Sequence, residues 1–343
     1  MIYKVNIDNF DRNEWEQRAQ EFADYSIYQT WPYQHIRGEM DGQQVSRFII
    51  KDENGHVASM GQVRIKHVKI LGLKIGYIQW GPLVRGNNGI LRCCVETLRA
   101  LRTRYVGDRI NVLRVAPNVC DDEDGKKVAE SLEFSGFEKV SSITTYHTIM
   151  VSLKEPEEKI RARIHRESRR ILRKVEKMEL QVKQGASEEF FNILESLYVG
   201  AKSRKGFKGL DSKEFAWTQQ MLASNDKATV LIAYYDGQPV TAHATTHLGN
   251  TAVPILTASN ETGLRYRTSY LLWWKAYLMA KDLGLEYYDL GGIDPDKNPK
   301  GYLFKKRMGG EETFHIGTFE AYTNPRILSL WHFAEKCYRF FMK

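Results

Sequence analysis

One order of secondary structure occurs twice along this chain, and that repetition constrains the fold more than any single motif. Val45 to Lys51 and Val57 to Val68 read as strands around Asp52-Glu-Asn54-Gly55, where the Asn-Gly pair is a hairpin signal. A further strand, Ile70 to Trp80, closes at Gly81-Pro82, and helix Ile90 to Tyr105 and strand Arg109 to Val115 follow. Later, Thr229 to Tyr235 and Val240 to His247 flank the turn Asp236-Gly237. Strand Ala252 to Ala258, helix Tyr270 to Leu283 and strand Glu286 to Leu290 complete the second pass. Both helices are rich in large apolar residues: Leu91, Leu98 and Leu101 in one, Leu271, Trp274 and Leu278 in the other. Hairpin, strand, helix, strand is the order of a mixed sheet covered by helices. The expected class is therefore α/β (mixed α+β), with two copies of one module.

At 343 residues the chain is longer than one core usually serves, which agrees with two domains. Residues Asn13 to Tyr25 read as a helix, and a second short helix follows Thr30, where Pro32 sits in a tolerated first-turn position. Helix Lys126 to Ser135 ends at Gly136, and strand Thr145 to Leu153 closes the first half. The expected division is 1–153 and 154–323. A last helix, Ile327 to Met342, has Leu328, Trp331, Ala334, Tyr338 and Phe341 at helical spacing, so 324–343 packs back to complete the first domain.

Between the halves lies a basic segment, 157–178. From Lys159 to Lys177 it holds nine Lys or Arg against two acids, Glu167 and Glu176. Ile160, Ile164, Ile171, Val175 and Met178 fall on one helical face, so the segment reads as one amphipathic helix. It is open between a solvated linker, a phosphate-backbone contact and a contact with an anionic membrane surface. The net charge of +8 leaves the same choice between an anionic partner and a basic solvated surface. Cys93, Cys94, Cys120 and Cys337 lack zinc-ligand spacing, and the first two fall in the helical pattern from Ile90. They read as reduced structural thiols. No signal-peptide profile opens the chain, and no run approaches the ~20 apolar residues of a membrane span. A soluble, cytoplasmic protein is expected.

The chain lacks a phosphate-binding loop ending in Gly-Lys-Ser/Thr, a Gly-x-Gly-x-x-Gly turn and a Gly-x-Ser-x-Gly elbow. His243 and His247 share a strand face but have no third ligand nearby, so no metal or cofactor is expected. What remains is the stretch from Glu286. A buried strand through Asp289 breaks at Gly291-Gly292, and a short helix carrying Lys305-Lys306 precedes Gly309-Gly310. Backbone amides and a cation can converge there. Transfer of an activated acyl group to an amine needs just that: two substrates in register and a cation at the developing oxyanion. An acyltransferase is the expected enzyme class.

These residues resemble a known family. Tyr288-Asp289-Leu-Gly291-Gly292, then Gly301-Tyr-Leu-Phe304-Lys305-Lys306 and Gly309, is similar to the C-terminal signature of the Fem family of aminoacyltransferases. Thr257-Ala-Ser259-Asn260 resembles the segment before that signature, and Gln29-Thr30 with Trp31 and Tyr33 resembles the N-terminal Gln-Ser-aromatic segment. Tyr77-Ile-Gln-Trp80-Gly81-Pro82 is similar to the family's Tyr-x-x-Arg-Gly-Pro strand end. The resemblance implies two GNAT-like acyltransferase modules in the form without a coiled-coil arm. It implies transfer of an amino acid from aminoacyl-tRNA to an amine of a UDP- or lipid-linked peptidoglycan precursor. Lys305 would be the catalytic cation and Arg204 a contact to precursor phosphates. His35, Arg37, Tyr77, Ser259, Asn260, Asp289, Gly291, Gly292 and Lys306 would complete the substrate site.

Two positions depart from the pattern. His35 stands where the family places a substrate-binding lysine, with Arg37 nearby, and Trp80 replaces the arginine before Gly-Pro. Two other functions stay open. One is acylation of an envelope amino sugar from acetyl-CoA, its pyrophosphate held by the loop Gly81 to Gly89 or by the turn Arg265-Tyr-Arg267 before Ser269. The other is a non-catalytic module binding RNA or an anionic membrane.

Overall fold

The computed structural model describes residues 3–92, 94–205 and 212–341. It divides into two compact units, Met1–Tyr146 with Phe314–Lys343, and His147–Thr313. The first unit opens with β1 (Lys4–Ile7), α1 (Arg12–Ala19), α2 (Trp31–Asp41), β2 (Gln44–Lys51) and β3 (Val57–Val68). It continues through β4 (Leu73–Gln79), α3 (Val95–Tyr105), β5 (Val112–Ala116), α4 (Glu123–Phe134) and β6 (Glu138–Lys139). The second unit begins with β7 (His147–Ser152), α5 (Glu157–Arg163), α6 (Arg166–Glu176), β8 (Gln181–Gly185), α7 (Glu188–Lys205) and α8 (Ser212–Met221). Then come β9 (Thr229–Tyr235), β10 (Gln238–Leu248), β11 (Thr251–Ser259), α9 (Glu261–Tyr266) and α10 (Ser269–Asp282). It ends with β12 (Tyr287–Asp289), α11 (Pro299–Arg307) and β13 (Glu311–Phe314). The chain returns to the first unit with β14 (Phe319–Tyr322) and α12 (Pro325–Phe341).

Each unit holds one seven-stranded sheet, and the two orders correspond strand for strand: β1-β2-β3-β4-β5-β14-β6 and β8-β9-β10-β11-β12-β7-β13. In each, a parallel pair, β4 with β5 and β11 with β12, is bridged by helices. The repeated order in the sequence is thus a repeated mixed α/β architecture. At the first hairpin the Asp52 carboxylate accepts from the Asn54 and His56 N–H groups, and Gly55 turns at φ +85°. α2 begins where the Thr30 hydroxyl accepts from the Tyr33 N–H, and it stops at Gly42 in the left-handed region. α10 buries Leu271, Leu272, Trp273, Trp274, Ala276, Tyr277 and Ala280 against the second sheet and α6. That near-continuous apolar surface explains why it sits inside a layer rather than on one.

The structure corrects five expectations. The strand expected to close the first half, β7, belongs to the second sheet: it pairs with β12, and Ile149, Val151 and Leu153 enter the second core. Its counterpart in the first sheet is β14, so the first unit takes everything from Phe314 rather than from residue 324. Helix α1 stops at Ala19, and α3 starts at Val95 with Cys94 as its N-cap, not at Ile90; Cys93 lies outside the described residues. Finally, the basic segment is two helices, α5 and α6. Ile164 is extended and buried, and the His165 N–H donates to the Arg307 carbonyl at 3.0 Å instead of continuing the helix. Two apolar anchors, Ile160 and Ile164, are both seated by that break.

α12 covers Leu73, Ile75 and Val112 of the first sheet with Ile327, Leu328 and Trp331. No described helix is long and apolar enough to cross a membrane.

Candidate active site

β12 is short, with Tyr288 and Asp289 buried, and the chain leaves it through Asp289, Leu290 and the paired glycines. Asp289 is 2% exposed. Its carboxylate accepts from the Thr148 hydroxyl of β7 and from the Gly291 N–H at 2.7 Å. That turn needs φ +77° at Gly291, where a side chain would also approach the Lys305 Nζ to 3.4 Å. The glycine carbonyls therefore face α11. α11 starts at Asn298, whose side chain accepts from the Gly301 N–H, with Pro299 in the first turn. It is anchored by the Phe304 ring against Tyr270 and Trp273, at 5.0 and 5.7 Å between centroids. Just past its end, Gly310 turns at φ +96°, and a Cβ there would meet the Met150 carbonyl at 2.7 Å.

The two adjacent lysines diverge. Lys305 points inward, half-buried, and its Nζ donates to the Gly291 carbonyl at 3.0 Å and the Gly292 carbonyl at 2.9 Å. An ammonium has three donors, so one remains for a substrate oxygen. Burial pulls the Lys305 pKa down to about 8, partly opposed by the Asp289 charge. Lys306 points outward to the Tyr302 hydroxyl and Glu312, at 2.8 and 2.9 Å, and these partners raise its pKa.

Behind the lysine lies a neutral polar chain. His243, fully buried, contacts the Thr257 hydroxyl through Nδ1 and the Tyr288 hydroxyl through Nε2, both at 2.7 Å. Tyr288 also meets Thr245 at 2.8 Å. Burial first, then the Lys305 charge, depresses His243 to about 3, so it stays uncharged and adds no repulsion. The sequence offered His243 only as half of a histidine pair. His247 instead approaches Thr229 at 3.4 Å.

Asp289, Gly291, Gly292 and Lys305 thus come together. Ser259 and Arg204 meet through the Arg204 Nη2 and the Ser259 carbonyl at 2.7 Å. Asn260 caps α9 by accepting from the Gly263 N–H at 2.9 Å. The remaining expected residues are in the first unit. His35 faces Glu39 at 3.4 Å and Arg37 is bound by Asp41 at 2.9 Å, each four residues along α2. Tyr77 lies on β4 between Arg64 of β3 and Arg114 of β5. Trp80, at φ +52°, packs with Tyr28, Tyr146 and His315 at 4.7–5.5 Å. An aromatic cluster occupies the place of the arginine in the Fem pattern.

Residues 158–305 match the acetyltransferase (GNAT) domain family, a span that includes Asp289, both glycines and Lys305. Over 95% of this chain and 99% of the other, the fold is similar to that of FemX, with a TM-score of 0.81 at 15% identity. The chain has a Fem-like GNAT acyltransferase fold. It is also similar to the C-terminal domain of a putative lysylphosphatidylglycerol synthetase from Agrobacterium fabrum, with TM-score 0.53, 10% identity and 94% and 96% of the two chains covered. L-PGS from Bacillus licheniformis aligns over 93% of this chain and 94% of its own, with TM-score 0.50 and 12% identity. No curated protein matches in sequence.

A protonated Lys305 brings positive charge to a developing oxyanion, and a neutral one does not. At pH 7 the lysine is mostly charged, and raising the pH through about 8 removes the charge. The rate of the chemical step is expected to fall along that limb, and Lys305→Arg is expected to move the limb beyond pH 9. A pH–rate profile for both proteins under single turnover checks this.

Proposed function

We propose that this protein transfers an aminoacyl group from aminoacyl-tRNA to an amine of a peptidoglycan-precursor peptide. The observation that carries the reading is Lys305, held at two glycine carbonyls beside a buried carboxylate with one N–H to spare. The acceptor amine attacks the ester carbonyl, a C–N bond forms, and negative charge develops on the carbonyl oxygen. The C–O bond to the ribose then breaks; the amine gives up a proton and the ribose oxygen gains one. A preorganised cation at the oxyanion is the help such a reaction most needs. The Fem resemblance of the motif around Lys305 supports the donor and acceptor classes.

α6 supports a nucleic-acid donor. Arg166, Arg170, Arg173, Lys174 and Lys177 form one exposed stripe, while Ser168, Leu172 and Val175 are buried opposite. The two acids leave the stripe: Glu167 pairs with Arg307 and Glu176 with Arg161. The stripe lacks the large apolar residues that seat a helix in a membrane interface, so a phosphate backbone fits it better. Changing Arg170, Arg173 and Lys174 to Gln is expected to flatten the salt dependence of tRNA binding by about 2 in log–log slope. Fluorescence anisotropy across a salt series reads this, and an unchanged slope removes α6 from the donor site.

The GNAT match favours a second reading, with an acyl-CoA donor. The loop of the first unit expected to hold a pyrophosphate has spent its amides, so a CoA donor would have to use the second unit, where the match lies. Val84 and Arg85 donate to the Asp24 carboxylate at 2.9 and 3.1 Å, and Gly86 donates to the Ile90 carbonyl at 2.9 Å. Radiolabelled aminoacyl-tRNA and acetyl-CoA, each incubated with a UDP-linked precursor, separate the readings. Label entering the precursor from tRNA alone supports the first; label from acetyl-CoA alone overturns it.

A further inference from the structure

In the first unit, one row of side chains crosses the sheet from Arg64 on β3 to Tyr77 on β4, Arg114 on β5 and Glu320 on β14. It contains two arginines on either side of one tyrosine, and their surroundings differ sharply. Arg114 is neutralised: it donates to Glu320 at 2.6 Å and to both oxygens of Glu335 at 2.9 Å. Arg64 is not. It is 7% exposed, and its Nη2 donates to the Gln79 side-chain oxygen at 2.9 Å. Its Nε and Nη1 are buried and meet no acceptor, which leaves three of the five guanidinium N–H groups unpaired.

The groups around Arg64 do not supply the missing charge. The facing titratable groups are Tyr33, Arg37 and Asp41 from α2 and Tyr77 from β4. Asp41 is engaged by Arg37 at 2.9 Å. The Tyr77 ring lies 5.7 Å from the guanidinium carbon. Neighbouring polar groups are glutamines: the Gln29 Nε2 donates to the Gln79 carbonyl at 2.7 Å, and Gln62 donates through Nε2 to the Gln29 carbonyl at 2.6 Å. The Gln34 side-chain oxygen is buried without a partner. A buried cation with unpaired donors is destabilising unless something anionic joins it. Proteins retain such groups where a ligand completes them.

We propose that Arg64 binds a phosphoryl group of a ligand on the α2-covered face of the first sheet. A phosphoryl group brings negative charge and three acceptor oxygens, matching three free donors better than a planar carboxylate does. Taking that group as part of the acceptor rests on the proposed transfer function; the anion site itself does not.

The test uses the full chain and needs no turnover, so it is independent of the transfer assay. Thermal unfolding is followed with inorganic pyrophosphate and, as control, NaCl at matched ionic strength. Wild type is expected to gain stability with pyrophosphate beyond the salt control. Arg64→Met is expected to lose that gain, and to unfold without ligand no earlier than wild type, because an unpaired buried charge is gone. Arg64→Lys, which keeps a charge but not the planar donor set, is expected to bind pyrophosphate at least about tenfold more weakly. Absence of a wild-type response overturns the proposal, as does an undiminished response in Arg64→Met. Should Arg64→Met fail to fold, an unchanged pyrophosphate affinity in Arg64→Lys overturns it.

Discussion

Lys305→Ala is expected to lower the rate of acyl transfer about 10²–10³-fold, the usual consequence of removing one preorganised oxyanion donor. The protein should survive the change. The Lys305 ammonium donates to two carbonyls, and both can turn to water once it leaves. Stability should rise slightly at pH 7. Its pKa is lower folded, about 8, than the 10.5 of a free lysine, so the charged form is held at a loss. The sign follows from linkage: between pH 8 and 10.5 the unfolded chain binds the extra proton, so wild-type stability climbs there and the variant's advantage fades. Lys306→Ala is the control. Lys306 is solvent-exposed and tied to Tyr302 and Glu312, so its removal should change the rate by no more than about threefold. Single-turnover rates with saturating donor and acceptor, alongside melting curves, measure all of this. Equal turnover in Lys305→Ala removes the lysine from the chemistry; a collapsed melting transition makes it a structural residue.

How far the chain can be read without coordinates depends on how local each cause is. The hairpin at Asn54-Gly55 was legible because its signal lies in four residues, and the repeated module because that signal recurs. The meeting of Lys305 with Gly291 and Gly292 was legible because lysine and glycines lie within the same stretch of sequence. The exchange of β7 and β14 was not, since nothing in the sequence around Val151 records that its partner is Tyr288. The break between α5 and α6 depends on the Arg307 carbonyl, more than a hundred residues later. His243 alternates along β10 like any strand residue, and only the sheet buries it against Trp273 and Tyr288. Arg64 is the extreme case. An arginine in a strand reads as solvated, and a missing partner leaves no trace in a sequence.

The return of the chain to the first unit predicts the largest effect on stability. β14 is a four-residue strand, and its Glu320 is 1% exposed. That carboxylate is compensated by Arg114 from β5 and by His332 from α12, whose Nε2 lies 2.6 Å away. Arg114 in turn grips Glu335 of α12 with both remaining nitrogens. One guanidinium therefore joins a central strand, the returning strand and the covering helix. Arg114→Met keeps the volume but leaves Glu320 buried against a single imidazole, and breaking a buried pair on one side costs about 3–5 kcal/mol. For a unit of this size that corresponds to a fall of roughly 10 °C in Tm. Removing the orphaned charge as well, in Arg114→Met with Glu320→Gln, should recover most of the loss, because the penalty comes from the uncompensated carboxylate. Calorimetry gives the melting shift. Hydrogen exchange over 319–341 shows where it acts: those amides should exchange faster than the β2–β3 hairpin in the single variant and recover in the double. A single variant within 1 kcal/mol of wild type would mean that the apolar seat on Leu73, Ile75 and Val112 holds the returning segment without the ion cluster.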